Sequence, residues 1–189
     1  MHPQAALQHR FTLIGEPLAI DLVNTEKLAH TPPSELLADE EANLAFWELQ
    51  RHRLPAYSAA PGLERVRPLR SAIRSLAESR LAARAGERWA IDVINGYASA
   101  APSNPRLSGD WTTAIEWHSS DADAILGAVA RSAIDLFTGP QSARLHTCAA
   151  DDCSMLFVAT NAKRQWCTAA GCGNRQRVAR HASRQRATT

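Results

Sequence analysis

The chain has 189 residues, a formal net charge of +2 and a hydrophobic content of 45%. That length suits one medium domain, or one domain with a small appendage, and the apolar fraction is enough for a real core. No apolar run approaches the ~20 residues of a membrane span, and residues 1–10 hold no apolar stretch of signal-peptide type, so a soluble cytoplasmic protein is expected.

In chain order, the first patterned segment is Leu18-Ala19-Ile20-Asp21-Leu22-Val23-Asn24-Thr25. Pro17 suits the first position of a helix, although the alternation of Leu18, Ile20 and Leu22 would also suit a strand; helix is the reading taken. Thr31-Pro32-Pro33 breaks the chain. Residues 40–53 read as a helix, with Asp39 as N-cap and Leu44 and Trp47 facing inward. Residues 55–62 read as a loop. The next helix is expected over residues 68–85, with Leu69, Ile73, Leu76, Ala77 and Leu81 as its apolar stripe and Gly86 as its C-cap. Residues before Pro68 would add at most a kinked turn.

Residues 87–100 carry a second stripe of Ala90, Val93, Ile94 and Tyr97. Residues 107–118 are the best place for a hairpin, turning near Gly109-Asp110. Asp121 is placed as the cap of a helix bearing Ile125, Leu126, Val129, Ala133, Leu136 and Phe137, stopped by Gly139-Pro140. The fold class is therefore mainly α: a helical domain with a small β-hairpin over residues 1–140, followed by a small module over 141–189 with short strands and a helix.

Charge divides at the same place. Residues 1–140 hold 13 Lys/Arg against 17 Asp/Glu, whereas residues 141–189 hold 8 against 2. A basic segment on an acidic body fits a polyanionic partner or a solvated tail, and the tail is expected for residues 187–189.

All four cysteines lie in the basic segment, as Cys148-x4-Cys153 and Cys167-x4-Cys172. Two short loops, each carrying a pair of thiols, can converge on one tetrahedral zinc, and a module this small needs such a staple because it cannot bury enough apolar surface. Two disulfides or four ordinary thiols are the alternatives, and a reducing compartment disfavours the disulfides. One structural Zn2+ on Cys148, Cys153, Cys167 and Cys172 is the reading taken. Asp151 and Asp152 are assigned no metal role, and His146 and His181 are weaker alternatives as ligands. Leu156-Phe157-Val158 reads as a small strand. Trp166 packs over the metal as a miniature core or stacks on a base; packing is preferred.

After Cys172 the chain runs Gly173-Asn174-Arg175 into a basic helix. At about 100° per residue, Arg177, Arg180 and Arg184 fall on one side, opposite Val178, Ala179 and Ala182. With Lys163 and Arg164 they form the candidate nucleic-acid surface, against the bland reading of a solvated helix face. Arg175 points toward the metal site, expected to bond backbone or thiolates. Gly173 or Gly171 lets the backbone approach the metal loop, and Asn174 supports the same turn.

Trp166-Cys167 followed by Cys172-Gly173-Asn174-Arg175, after an earlier Cys-x4-Cys, resembles the CGNR zinc-finger family. Gly15-Glu16 through Leu18-Ala19-Ile20-Asp21-Leu22-Val23-Asn24-Thr25 resembles the opening of the ABATE domain, found ahead of this finger in bacterial proteins described as stress-induced transcription regulators. The resemblance implies a helical N-terminal domain, a zinc finger and DNA binding. The functional expectation is a zinc-dependent DNA-binding transcription regulator, with the N-terminal domain as ligand sensor or dimerisation unit; the alternative is a zinc-stabilised protein-interaction module. Asp21 and Asn24, polar within an apolar segment, are candidates for lining a small-molecule pocket, or else for capping and backbone hydrogen bonds. No nucleophile–base pairing or phosphate loop is evident, so no enzyme is expected.

Overall fold

The computed structural model describes residues 11–56 and 59–187; residues 1–10 and 188–189, and Tyr57 and Ser58 within the expected loop, lie outside the described residues. Six α-helices are described: α1 Leu18–Val23, α2 Glu40–Gln50, α3 Leu63–Leu81, α4 Arg88–Ala100, α5 Asp121–Thr138 and α6 Asn174–Ala187. Three antiparallel strand pairs accompany them: β1 Glu26–Lys27 with β2 Ser34–Glu35, β3 Ser103–Leu107 with β4 Thr113–Trp117, and β5 Leu145–Thr147 with β6 Leu156–Val158. The chain is thus mainly helical, with strands confined to short two-stranded units.

α1 is the central element. Pro17 precedes it, and the Pro17 carbonyl accepts from the Ile20 and Asp21 N–H groups at 2.8 and 3.0 Å. Ala19 through Val23 are all buried, as a helix must be when it is apolar on nearly every side. It packs against α3 and α5 within a core that includes Ile20, Leu22, Trp47, Leu69, Ile73, Ile125, Leu126 and Val129.

The other helices depart from the sequence expectation in instructive ways. Asp39 caps α2 through the Ala42 N–H at 2.8 Å, and Trp47 is buried. Leu44, however, is exposed, because the buried face is Asn43, Phe46, Trp47 and Gln50, spaced i, i+3, i+4, i+7. α3 starts five residues before Pro68: Leu63 and Val66 enter the core, and that burial outweighs the one ladder bond an interior proline removes. It also stops early. Ala83 takes a left-handed conformation (φ 51°) and the Arg84 N–H returns to the Ser79 carbonyl at 2.8 Å, so Ala83 performs the capping expected of Gly86, and Leu81 is left exposed.

The hairpin begins at Ser103, ahead of the expected Leu107, and its base is fixed by Trp117 beside Gly127 of α5. Ser120 caps α5 by accepting from the Asp123 N–H at 3.3 Å, so Asp121 is the first helical residue rather than the cap. Gly139 ends α5, and a 3-10 turn over Pro140–Arg144 leads into β5.

The C-terminal module is not a bead on a string. Leu145, Leu156 and Val158 belong to the same apolar core as the helices, while Cys148, Cys153, Cys167, Cys172, Met155, Phe157 and Trp166 form a second, smaller one.

Candidate metal centre and nucleic-acid interface

β5 and β6 deliver the first cysteine pair. The Cys148 N–H bonds the Met155 carbonyl at 2.9 Å, and the Cys153 N–H closes a turn on Ala150 at 3.0 Å. The second loop is fastened to the first by the Ala149 N–H on the Gln165 carbonyl (3.0 Å), and it coils into a π-turn over Ala169–Gly173 that leads into α6. Thr168 caps this turn, its hydroxyl accepting from the Gly171 N–H at 3.0 Å.

The four sulfurs lie within 4.8 Å of one another, with Cys167 Sγ 3.5 Å from Cys172 Sγ and 3.9 Å from Cys153 Sγ. A tetrahedron with 2.3 Å metal–sulfur bonds has edges of about 3.8 Å, so the donor set fits one zinc. The surroundings fit thiolates too: the Cys167 N–H points at Cys148 Sγ (3.4 Å), and Arg175 Nη2 lies 3.3 Å from Cys172 Sγ. Thiols this close cannot all ionise unaided. The Cys167 thiol, with lesser help from other donors, holds Cys153 down to about 5, whereas Cys167 is pushed up by that same donation and by burial, and burial also raises Cys172. A dication makes four thiolates tolerable, and four protein ligands leave it no open position for catalysis.

Neither histidine joins the cluster. His146 lies on β5 with its ring 5.9 Å from Phe157, and His181 is exposed on α6. Asp152 receives Arg175 on both carboxylate oxygens at 2.9 Å, so Arg175 bridges a thiolate and the first cysteine loop. Trp166 is half-buried against the cysteine cluster. A Cβ on Gly173 would sit 2.7 Å from Trp166 Cδ1, so only glycine lets α6 start this close to the indole. Asn174 opens α6 and is exposed, its N–H closing on the Gly171 carbonyl.

Lys163, Arg164, Arg177 and Arg180 line a recess of about 620 Å³ with Asn161, Trp166 and Gly173. Arg180 lies over the Trp166 ring at 5.6 Å, Arg177 Nη2 reaches the Ala169 carbonyl at 3.2 Å, and Arg184 is exposed further along α6. The opposite side of α6 is not buried either, with Val178 62% exposed.

Arg164 lines the same recess and also carries an internal network. Its Nε bonds the Trp166 carbonyl at 3.2 Å and its Nη1 the Val158 carbonyl at 3.1 Å. Its Nη2 bonds Glu16 Oε1 at 2.9 Å and the Cys167 carbonyl at 2.7 Å. The guanidinium also stacks 4.4 Å over Phe157. Four of its five N–H donors are thus engaged inside the protein.

Asp21 and Asn24 are both buried and hydrogen-bonded within the protein. Asp21 is buried, receiving Gln50 Nε2 at 3.0 Å and Arg53 Nη1 at 2.6 Å, and desolvation pushes its carboxyl above the usual range despite those bonds. Asn24 donates to the Leu156 carbonyl at 2.9 Å and accepts from the Leu156 N–H at 2.8 Å. Glu16 continues the same edge, accepting from the Val158 N–H at 2.7 Å. Side chains from the two ends of α1 thus occupy the outer edge of β6 as a third strand would. Glu16 was quoted above only as part of the ABATE-like opening motif and given no role of its own, because nothing local shows that its partners lie some 140 residues on.

A helical domain clamped onto a four-cysteine finger, with a basic helix leaving the metal loop, defines a two-part zinc-finger protein. Residues 16–140 match the ABATE family, described as "Putative stress-induced transcription regulator", and residues 144–185 match the CGNR zinc finger. The chain belongs to the ABATE family and carries a CGNR zinc finger with one structural zinc site at Cys148, Cys153, Cys167 and Cys172. No match was found among curated proteins. Among the described residues no helix is long and apolar enough to cross a membrane.

Proposed function

We propose that this protein is a cytoplasmic, zinc-dependent, DNA-binding transcription regulator rather than an enzyme, and that Lys163, Arg177, Arg180 and Arg184 meet the phosphate backbone. The observation that carries this reading is the basic recess: Lys163, Arg177 and Arg180 converge beside Trp166 on a rigid metal-held scaffold, and no acidic side chain among the described residues pairs with them. The acidic Asp152 is neutralised by Arg175, away from that recess. A ligand of the helical domain would enter not at Asp21 and Asn24 but in an apolar recess of about 300 Å³ between α3, α4 and α5, lined by Leu76, Ile94, Ile134 and Phe137 with Arg84 at its rim.

A single finger that neutralises ~3–5 phosphates binds weakly and with strong salt dependence, and the slope falls by about 0.9 for each phosphate it no longer neutralises. Fluorescence anisotropy of the zinc-loaded protein on random duplex DNA, titrated with salt, is the test. The combined Arg177→Ala, Arg180→Ala and Arg184→Ala variant is expected to flatten the slope. An unchanged slope removes α6 as the DNA-facing surface, and absence of duplex binding leaves the zinc-stabilised protein-interaction module.

A further inference from the structure

The β3–β4 hairpin projects from the helices with nearly every side chain of its two strands exposed, Leu107 at 66% and Ile115 at 45%, and with Trp111 86% exposed at its tip. A lone two-stranded ribbon is marginal in water, and an open strand edge is a template for pairing. The ladder's phase shows, among the described residues, which backbone groups face outward. The His118 N–H bonds the Pro102 carbonyl and the Ser108 N–H bonds the Thr112 carbonyl, both at 2.9 Å. With the observed register, the intervening pairs alternate, so Ser103·Trp117, Pro105·Ile115 and Leu107·Thr113 turn their N–H and C=O groups outward. On β3 the central outward position is Pro105, which has no N–H to offer. On β4 the outward positions are Thr113, Ile115 and Trp117, free of proline and of charge.

We infer that β4 is a dimerisation edge that pairs with β4 of a second copy of this chain, antiparallel about a two-fold axis through Ile115. That axis sets Ile115 opposite Ile115 and Thr113 opposite Trp117, so every outward group of one edge meets its complement on the other. Charge agrees with this register: Glu116 faces Ala114 of the partner subunit rather than its own equivalent, and Arg106, which already pairs with Glu116 in its own chain, lies next in the same row. Pro105, Leu107, Ile115 and Thr113 share the other face, giving a four-stranded sheet with a continuous apolar side. Trp111, held at φ 63° at the tip, comes level with Ser119 of the partner subunit in this register. The inference rests on the hairpin alone and stands whether or not the chain meets DNA.

The test is sedimentation velocity of the full zinc-loaded chain over a wide concentration range, where a reversible monomer–dimer equilibrium is expected. Because the Ile115 N–H faces outward, Ile115→Pro removes no bond within the monomer and mirrors Pro105; it should weaken the dimer about tenfold or more while leaving far-UV circular dichroism and the melting temperature of the monomer unchanged. Should that variant misfold, Ile115→Lys places two ammonium groups opposite one another and should weaken the dimer in a way that added salt partly reverses. Pro105→Thr on the other edge should leave the dimer as it is. A wild-type chain that stays monomeric at every concentration, or a dimer that survives both Ile115 substitutions, overturns the inference.

Discussion

Asn24 holds Leu156 by both of its backbone groups, donating to the carbonyl at 2.9 Å and accepting from the N–H at 2.8 Å across 132 residues of sequence. A primary amide is the one small side chain that offers a donor and an acceptor in the spacing of a peptide group. The zinc finger is thereby docked to α1 by a pair of bonds that imitates a strand pair.

Asn24→Ala leaves two buried backbone groups on Leu156 without partners, each worth about 1–3 kcal/mol. Thermal unfolding of the zinc-loaded variant should show destabilisation by roughly 2–6 kcal/mol by the same reckoning. Asn24→Asp should fare little better, because a carboxylate accepts from the N–H but repels the carbonyl. A melting temperature equal to wild type for both variants would mean that the clamp adds nothing to stability.

Arg164 makes a contrasting prediction to the arginines of α6. Four acceptors and a ring converge on it, with its side chain 21% exposed. Arg164→Ala should destabilise the loaded protein by about 2–4 kcal/mol, since bonds to charged groups are worth about 1.5–3 each but are not additive within one network. Arg164→Lys should not rescue it, because a single ammonium cannot serve Glu16, Val158 and Cys167 together. Glu16→Gln should cost less, keeping an acceptor for the Val158 N–H while removing a carboxylate that burial already pushes above its ordinary range. In all three the salt slope of DNA binding should match wild type. A flattened slope in Arg164→Ala would show that this residue meets phosphate as well as holding the finger.

The pattern of what could be read beforehand follows from the range of the interactions. Apolar periodicity located α4 and α5 and their buried faces, because Ala90, Ile94, Ile125, Val129 and Ala133 repeat at helical spacing. Cysteine spacing located the metal centre, because ligand loops are local. Gly86 failed as a cap because Ala83 reached the left-handed region first, and Pro68 failed as a start because the core beyond it offset the missing ladder bond. Arg164 and Lys163 are neighbours of equal formal charge that both line the recess, and nothing in a local pattern shows that Arg164 alone also bonds inward to Glu16. Asn24 was legible only as a polar residue in an apolar segment and Glu16 only as part of a family-like motif; their backbone partners lie on β6, and no local rule reaches that far.

Zinc removal should divide the molecule along its two cores. Chelation, or Cys167→Ser, deletes the staple of the smaller core, whose remaining apolar members are chiefly Phe157, Met155 and Trp166. Leu145, Leu156 and Val158 stay in the helical core, and the Leu156 and Val158 amides stay bonded to Asn24 and Glu16. Hydrogen exchange of the metal-free protein should therefore show diminished protection over residues 165–175 and retained protection at 156 and 158. Uniform loss through the helices would show instead that the metal holds the whole chain.

Glu35 supplies the pH-dependent prediction. Its carboxylate takes both Nη groups of Arg70, at 2.7 and 2.5 Å, and the Leu37 N–H at 2.8 Å. Burial pushes its carboxyl up, but these bonds outweigh that effect and hold it below the ordinary 4.5. A depressed value in the folded state means that the contribution is fully present above pH 4.5 and is lost as pH falls through the folded value. Arg70 is only 4% exposed, so Glu35→Gln leaves a buried cation short of its counter-charge, a cost of about 1–3 kcal/mol at neutral pH, moderated by the partial exposure of Glu35. Chemical denaturation of wild type and Glu35→Gln at successive pH values, taken as a difference so that the acid release of zinc common to both cancels, should show a constant gap above pH 4.5 that closes below it. A gap that widens with acidity would reverse the sign and assign the stabilisation of Arg70 to Thr25, which accepts from its Nη1 at 3.0 Å, rather than to the carboxylate.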